Sequence, residues 1–260
     1  MTTGAKPLVG ILQCGPTPEE LEGAHGDYGD MFRALLGEHR FDFRRHLVFD
    51  GDVPADPLAC DAWCLSGSRH GAYEPHGWIP PLEALVRGAF EAAVPVIGIC
   101  FGHQLVAQAL GGRVEKFAGG WSVGRVSYRF APDAGVPDLD GRTLDVAAYH
   151  QDQVLEPPRT ARTIASSPVC RHAALVYDTR ALTVQPHPEF DEAFLAGLVA
   201  TRGMALPPAT RARAEASLGP LEREPVGEAL ARFVLAGLAA RAEAPRTRPI
   251  RTQGDRDGRE

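Results

Sequence analysis

A short buried strand that turns at a cysteine straight into a helix is the segment that most constrains how this chain can fold. Residues 95–112, PVIGICFGHQLVAQALGG, combine an apolar run of strand length with an immediate helical pattern. Such a turn places one side chain at the open edge of a sheet and points the next backbone N–H groups at whatever binds there. The positive end of a helix favours a thiolate over a thiol, so we predict that Cys100 is a nucleophile.

The segments before this turn alternate between strand and helix patterns. They predict strands at residues 8–13, 41–49, 62–65 and 94–99, and helices at 21–36 and 82–93. This alternation predicts a parallel sheet with helices on both faces. We therefore expect an α/β fold of the flavodoxin-like type, with a doubly wound and mostly parallel sheet.

The pattern changes after Gly112, where short β segments are separated by turn residues. These segments are predicted at residues 113–116, 123–130, 143–149, 161–166, 173–177 and 182–185. We expect them to form antiparallel strands that extend the sheet or lie beside it. The rest of the chain is mostly helical, with helices predicted at 189–202, 209–217 and 226–242.

Composition excludes several classes of partner. A chain of 260 residues with 44% hydrophobic residues can bury a full core. Its net charge of −6 argues against nucleic acid or an anionic membrane surface as the main partner. No apolar run approaches the roughly 20 residues that span a bilayer. Five cysteines, an odd number spread thinly, suit reduced thiols in the cytoplasm better than a disulfide framework.

A histidine and a glutamate near residue 190 complete a candidate catalytic set. A cysteine nucleophile needs a base that takes and returns its proton, and that base needs an acceptor that fixes its tautomer. His187 follows a β segment, where it can emerge at the carboxyl edge of the sheet, and Glu189 lies two residues further along the chain. We therefore predict a catalytic triad of Cys100, His187 and Glu189.

Four sequence blocks in this order resemble the class I, triad-type glutamine amidotransferases. The similarity spans about residues 7–192 and is strongest to the amidotransferase domain of GMP synthetase and its free-standing relatives. The blocks are LSGS at 65–68, GICFGHQ at 98–104, YHQD at 149–152 and QPHPEF at 185–190. Two such blocks would be moderately specific, whereas four in the right order are strong evidence for the family.

The resemblance implies a cysteine-dependent hydrolysis. Cys100 would attack the γ-amide carbon of a glutaminyl group, with His187 as general base and then general acid and Glu189 orienting His187. A γ-glutamyl thioester would form, ammonia or an amine would leave, and water would release glutamate. No cofactor is expected.

The resemblance also implies which residues surround the reacting group. Backbone N–H groups of Phe101 and of the Gly67-Ser68 turn would hold the oxyanion, where losing one donor typically lowers the rate by about 10²–10³. Gln104 matches the family's substrate-contacting glutamine. The segment that lines the glutamyl pocket in relatives corresponds here to His150, Gln151 and Asp152.

The physiological substrate stays open at this point. Synthetase-linked members usually carry Gly-Gly-Pro where this chain has Gly67-Ser68-Arg69, and the Ser-Gly-Ser form resembles free-standing members, including plant γ-glutamyl peptidases. The chain also lacks a Ser-Gly-Gly-Val-Asp-Ser pyrophosphatase loop and a Gly-x-x-x-x-Gly-Lys-Ser/Thr phosphate loop. We expect it to hydrolyse glutamine and release ammonia, which a separate synthase subunit would receive, and the alternative is a free-standing peptidase for γ-glutamyl conjugates. A non-catalytic regulatory protein is the third alternative.

The resemblance and the helical patterns together divide the chain into three segments. Residues 1–203 are predicted to form the amidotransferase-like domain, and residues 204–242 a helical extension that packs on the flank of the sheet or forms a homo-oligomer contact. Residues 243–260, rich in Arg, Asp, Gly and Pro, are expected to be disordered.

Other motifs are not assigned a chemical role. Cys60 and Cys64 have no second Cys/His pair at a matching interval, so they are interpreted as core residues and no metal site is predicted. His103, one helical turn after Cys100, is expected to have a structural or pocket-wall role. The loop that carries His70 and His76 is either a lid over the pocket or an ordinary surface loop.

Overall fold

A nine-stranded mixed sheet forms the centre of the fold in the computed structural model, which describes residues 5–243. The strands in chain order are β1 Leu8–Gln13, β2 Asp42–Leu47, β3 Ala62–Leu65, β4 Val96–Ile99, β5 Arg113–Lys116, β6 Ser122–Phe130, β7 Thr143–His150, β8 Asp152–Glu156, β9 Arg162–Ser166, β10 Ala174–Tyr177 and β11 Ala181–Val184. The helices are α1 Glu19–His25, α2 Tyr28–Leu36, α3 Ile79–Glu91, α4 Phe101–Ala109, α5 Glu192–Arg202, α6 Pro208–Ser217 and α7 Glu224–Glu243.

The large sheet has a parallel half and an antiparallel half. Its spatial order is β2-β1-β3-β4-β11-β10-β9-β6-β7. Strands β2, β1, β3, β4 and β11 pair in parallel, whereas the pairs from β11 onward are antiparallel. The predicted α/β fold with a mostly parallel sheet and added antiparallel strands is confirmed. Because the parallel strands end at one edge, β3, β4 and β11 deliver the chain segments that follow them to the same place.

The sequence patterns missed one strand. β8 pairs with β5 in a separate antiparallel sheet, starting from Lys116 opposite Asp152. Its sequence, DQVLE, has only two apolar residues, and they are adjacent rather than alternating. Period-two patterning therefore could not identify it.

The single helix predicted at residues 21–36 is wrong, because the chain forms two helices there. α1 ends at His25, and Gly26 adopts a φ of 74°, which few residues other than glycine tolerate. Asp27 then caps α2: its side chain accepts the backbone N–H of Asp30, and the Asp30 side chain accepts that of Asp27. This capping box starts a new helix where hydrophobic periodicity alone suggested continuity.

Helices cover both faces of the sheet, as the alternating pattern predicted. On one face, α2 and α7 contribute Phe32 and Leu230 to a buried cluster, and on the other α3 and α4 contribute Leu82 and Leu105. α7 lies so close to α2 that a Cβ on Gly227 would stand 2.6 Å from a methyl carbon of Leu35. The helix after residue 220 is thus part of the main core.

The three-segment division stays a prediction for residues 1–203 and 204–242. Glu243 ends α7, so it belongs to a helix and not to the predicted tail, and residues 244–260 lie outside the described residues. Within residues 5–243, no helix combines the length and apolar character needed to cross a membrane.

The burial of α7 predicts the effect of a truncation on its inner face. Leu230 is fully buried, whereas Leu235 on the same helix is 38% exposed. Leu230→Ala is expected to lower the free energy of unfolding by about 2 to 5 kcal/mol, because it removes apolar contacts and leaves a cavity. Leu235→Ala, the matched control, should have a much smaller effect. Urea unfolding of both variants measures the difference, and equal losses would contradict this packing.

Candidate active site

Cys100 is the only residue between the last residue of β4 and the first residue of α4, and its backbone is strained. It has φ 53° and ψ −103°, a conformation that non-glycine residues rarely adopt and that costs about 1 to 3 kcal/mol. Two hydrogen bonds fix it: the N–H of Cys100 donates to the carbonyl of Val184 at 2.9 Å, and its carbonyl accepts the N–H of Gln104 at 3.0 Å. The sharp turn therefore holds the thiol at the carboxyl edge of the sheet.

Two glycines allow α4 to start this close to the sheet. A Cβ on Gly98 would lie 2.6 Å from the carbonyl of Gly102, and a Cβ on Gly102 would lie 2.5 Å from the carbonyl oxygen of Leu65. The N–H of Gly102 also donates to the carbonyl of Ser66 at 3.1 Å. The end of β3 and the start of α4 are thus joined directly beside Cys100.

His187 reaches the same edge from the segment after β11. Its backbone N–H donates to the carbonyl of Ala147 in β7 at 2.8 Å, and its Nδ1 lies 2.6 Å from Oε1 of Glu189. A Cβ placed on Gly67 would lie 3.1 Å from Cε1 of His187 and 3.9 Å from Cβ of Cys100. The structure therefore brings the three predicted catalytic residues together beneath the Gly67 turn.

The surroundings of His187 favour its protonated form. Burial alone lowers the pKa of the imidazole, but electrostatic attraction and hydrogen bonds to Glu189 and Cys100 outweigh that effect. The net result is a raised pKa for His187. The second carboxylate oxygen of Glu189 is buried and has no hydrogen-bond partner among the described residues, so this carboxylate is committed to the imidazole.

A stacked phenylalanine also fixes the imidazole plane. The ring of Phe190 lies parallel to that of His187, with centroids 4.2 Å apart and planes 5° apart. Tyr28 stacks on Phe190 at 6.0 Å, and Phe194 contacts it at 4.4 Å. Sequence reasoning missed this stack, although the aromatic residue directly after Glu189 was the available signal.

The predicted oxyanion donors belong to the start of α4 and to the turn after β3. Phe101 is the first residue of α4, so its N–H has no acceptor within the helix. Gly67 is buried and Ser68 half-buried, and the hydroxyl of Ser68 accepts the N–H of His70 at 3.2 Å. These N–H groups come from the two segments that the Ser66–Gly102 hydrogen bond joins.

Gln104 lies in the interior and connects α4 to neighbouring strands. Its amide nitrogen donates to the carbonyl of Asp152 at 2.8 Å and to Oε1 of Gln185 at 3.2 Å. Sequence reasoning did not identify Gln185, which is fully buried with its own amide nitrogen unpartnered among the described residues. Gln104 therefore holds Asp152, which is the first residue of β8 and the last residue of the predicted pocket segment 150–152.

The three residues at 150–152 have different surroundings. His150 is buried, and burial first and the charge of His187 second lower its pKa to about 3, so it stays neutral. The Gln151 amide donates to the carbonyl of Phe117 at 3.3 Å. Asp152 is half-buried, and burial raises the pKa of its carboxyl group.

His103 and the remaining thiols lie in the core. Nδ1 of His103 lies 2.8 Å from the hydroxyl of Thr183 in β11, and burial lowers the pKa of this imidazole to about 3. All five cysteines are free and buried, and burial raises the pKa of the other four thiols, which are Cys14, Cys60, Cys64 and Cys170. Among the thiols, Cys100 alone lies at a strained strand-to-helix turn.

Comparison with known proteins identifies the class to which this fold and site belong. The family model described as glutamine amidotransferase class-I matches residues 58–193, which is more than half of the chain. The chain therefore belongs to the class I glutamine amidotransferase family and is a hydrolytic enzyme of that family.

Particular relatives support the same assignment. Gamma-glutamyl peptidase 2 of Arabidopsis thaliana is 28% identical over 194 residues, which cover 73% of this chain and 78% of that protein. The glutamine-hydrolyzing GMP synthase of Thermus thermophilus is 32% identical over 168 residues, 63% of this chain but only 32% of the synthase. A glutamine amido transferase structure from Methylobacillus flagellatus superposes with a TM-score of 0.70 at 26% identity, covering 92% of this chain and 96% of that one.

The interaction between Glu189 and His187 predicts how the pKa of His187 changes when the carboxylate is replaced by a neutral amide. Glu189→Gln removes a negative charge that raises this pKa while keeping the side-chain shape, so the pKa of His187 should fall. Imidazole NMR titration measures it, with the His187 signal assigned from a His187→Gln spectrum. Glu91→Gln, an exposed control at the end of α3, should leave the titration unchanged. An unchanged or higher pKa in Glu189→Gln would contradict the arrangement.

Proposed function

We propose that this chain hydrolyses the amide bond of a γ-glutamyl group through a thioester on Cys100. The thiolate attacks the γ-carbonyl carbon, the carbonyl electrons move to oxygen, and the C–N bond then breaks as His187 gives its proton to the leaving nitrogen. Water next attacks the thioester while His187 takes its proton. The C–S bond breaks, glutamate leaves and the thiolate–imidazolium pair is restored.

The observation that carries this proposal is the convergence of Cys100, His187 and Glu189 at one edge of the sheet. His187 contacts Glu189 at 2.6 Å, and its raised pKa keeps on the ring the proton that the leaving nitrogen needs. The stack on Phe190 holds the ring plane during both proton transfers. Such preorganisation can lower the barrier because little reorganisation accompanies the reaction.

The oxyanion forms between two segments that the fold already joins. We assign its stabilisation to the N–H of Phe101 and to an N–H of the Gly67-Ser68 turn. Each donor matches charge that develops only in the transition state, and losing one typically reduces kcat by about 10² to 10³. The strained turn at Cys100 and the close approach of Gly102 to Leu65 support this placement.

The glutamyl moiety is proposed to lie against the 150–152 segment. Asp152 would offer its carboxylate to the α-ammonium group, with Gln104 holding the Asp152 backbone at 2.8 Å and neutral His150 forming the wall beside His187. Gln151 points its amide to the Phe117 carbonyl and so serves this segment structurally.

A γ-glutamyl peptide or conjugate is the favoured substrate. The match to gamma-glutamyl peptidase 2 covers most of both chains, whereas the match to GMP synthase covers only 32% of that enzyme. Glutamine is the second candidate, because that synthase is named as glutamine-hydrolyzing. In that case the ammonia would pass to a separate synthase subunit.

Glutamate release separates these two substrates. The purified chain receives glutamine or a γ-glutamyl dipeptide in separate reactions, and faster turnover of the dipeptide is expected. Turnover of glutamine alone would support the second candidate. Hydroxylamine added during turnover should yield γ-glutamyl hydroxamate, because it intercepts a thioester. Cys100→Ala should abolish both products, and unchanged glutamate release in that variant would overturn the proposal.

The proposed role of Asp152 predicts a specific kinetic change. Asp152→Asn should raise KM by about tenfold or more with a smaller effect on kcat, because it removes a charge that binds substrate before and during the reaction. Since burial raises the pKa of Asp152, the wild-type KM should also rise as pH falls through that raised value. Asp178→Asn is the control and should leave KM unchanged. Asp178 is exposed, and asparagine tolerates its left-handed backbone conformation. An unaltered KM in Asp152→Asn would contradict the proposal that the Asp152 carboxylate binds the substrate.

A further inference from the structure

A loop beside the active site gathers two histidines and a glutamate around one point. Nδ1 of His70 lies 3.1 Å from Oε2 of Glu74, and Nε2 of His76 lies 2.8 Å from the same oxygen. The three candidate ligand atoms all lie within 4.8 Å of one another. From this cluster we infer that His70, Glu74 and His76 bind a divalent transition-metal ion of the Zn²⁺ type.

The spacing of these atoms fits a tetrahedral ion. With ligand distances of about 2.1 Å, neighbouring ligand atoms of a tetrahedral Zn²⁺ site are about 3.4 Å apart. The two separations that involve Glu74 are within several tenths of an ångström of that value. Small side-chain rotations would therefore suffice for binding. Three protein ligands leave a fourth position for water or another ligand.

The donor set selects the kind of metal. Two imidazole nitrogens and one carboxylate oxygen suit Zn²⁺ and its neighbours in the first transition row, whereas Mg²⁺ and Ca²⁺ prefer oxygen ligands alone. The three side chains are partly exposed, so a metal ion can reach them from solvent.

The loop backbone is already ordered around the cluster. The N–H of Glu74 donates to the carbonyl of Gly71 at 3.0 Å, and that of His76 donates to the carbonyl of Glu74 at 2.9 Å. The imidazoles of His70 and His76 have their centroids 4.0 Å apart, and His76 stacks on Trp78 at 5.9 Å. The ligands are thus held close before any ion arrives, which limits the ordering entropy that binding must overcome.

One neighbouring cation opposes binding. The Arg69 guanidinium lies 3.5 Å from Nε2 of His70, at the limit of hydrogen-bond distance. Metal binding through Nδ1 requires the proton on Nε2, so it would break this weak contact. The loss is small, because the Arg69 side chain is exposed and can turn into solvent.

The site is independent of the hydrolytic reaction but adjacent to it. Its loop begins at the Gly67-Ser68 turn and ends at Trp78, whose ring packs on Phe101 at 5.5 Å. The sequence predicts no metal site, because Cys60 and Cys64 have no second Cys/His pair at a matching interval. Folding brings the three ligand atoms within 4.8 Å of one another.

Metal titration of the full chain tests the inference. The protein carries Cys100→Ser, so that the active-site thiol cannot take the metal, and is freed of metal by a chelator. Isothermal titration should show one Zn²⁺ bound per chain, with no competition from excess Mg²⁺. Glu74→Gln and His76→Gln should each weaken Zn²⁺ binding by at least about tenfold. His46→Gln, a matched control whose imidazole faces Asp52 at 3.1 Å, should keep the original affinity.

A spectroscopic measurement places the ion. Because His76 stacks on Trp78, bound Co²⁺ should quench the fluorescence of this indole, and Trp78→Phe should remove that quenching while binding persists. Absence of saturable Zn²⁺ binding would overturn the inference. So would Glu74→Gln and His76→Gln variants that bind Zn²⁺ as tightly as the protein without these two substitutions. Glu74 would then serve only as a hydrogen-bond acceptor for two imidazoles. Neither result depends on which γ-glutamyl compound the enzyme hydrolyses.

Discussion

The strained backbone of Cys100 is the constraint on which the rest of the site depends. A non-glycine residue at φ 53° persists only where surrounding contacts over-determine it. Here Gly98 and Gly102, which have no Cβ, let α4 approach β3 and β4 closely. The backbone of Cys100 is also held on both sides by hydrogen bonds with Val184 and Gln104. Packing elsewhere in the sheet thus offsets the strain of the turn that holds the Cys100 sulfur at the edge of the sheet.

The other two proposed catalytic groups follow β11, the last parallel strand, and are held in part by the antiparallel half of the sheet. The segment after β11 is tied to β7 by the hydrogen bond from His187 to Ala147, so the added strands help to set the position of the imidazole. Glu189 then supplies the charge that raises the pKa of His187, and Phe190 supplies a parallel surface. A displacement of strands in either half of the sheet would therefore alter the positions of Cys100 and His187 relative to each other.

Local patterns predicted the large elements well because their signals are short-range. The apolar run before Cys100 and the glycines around it indicate a buried strand and a tight turn without knowledge of any distant contact. Features that depend on tertiary contacts were not accessible in this way. β8 has no alternating pattern and is defined by its pairing with β5. The error at residues 21–36 has a different cause, because the capping box at Asp27 is a local signal that hydrophobic periodicity does not detect.

The same distinction applies to the site. The order of the Cys, His and Glu motifs predicted the three residues that the structure brings together and, through family resemblance, the segments around them. The pairing of Gln104 with Gln185 and the gathering of His70, Glu74 and His76 depend on where loops and strands meet in space. A sequence shows the members of such clusters but not their distances.

The most direct test of the central claim is chemical identification of the intermediate. Turnover of the γ-glutamyl substrate is stopped rapidly with acid, which preserves a thioester, and the digested protein is examined by mass spectrometry. The account predicts a γ-glutamyl increment on the peptide that carries Cys100, absent when hydroxylamine precedes digestion. An increment on another residue, or steady turnover with no adduct on Cys100 under conditions where hydrolysis of the intermediate is slowed, would contradict it.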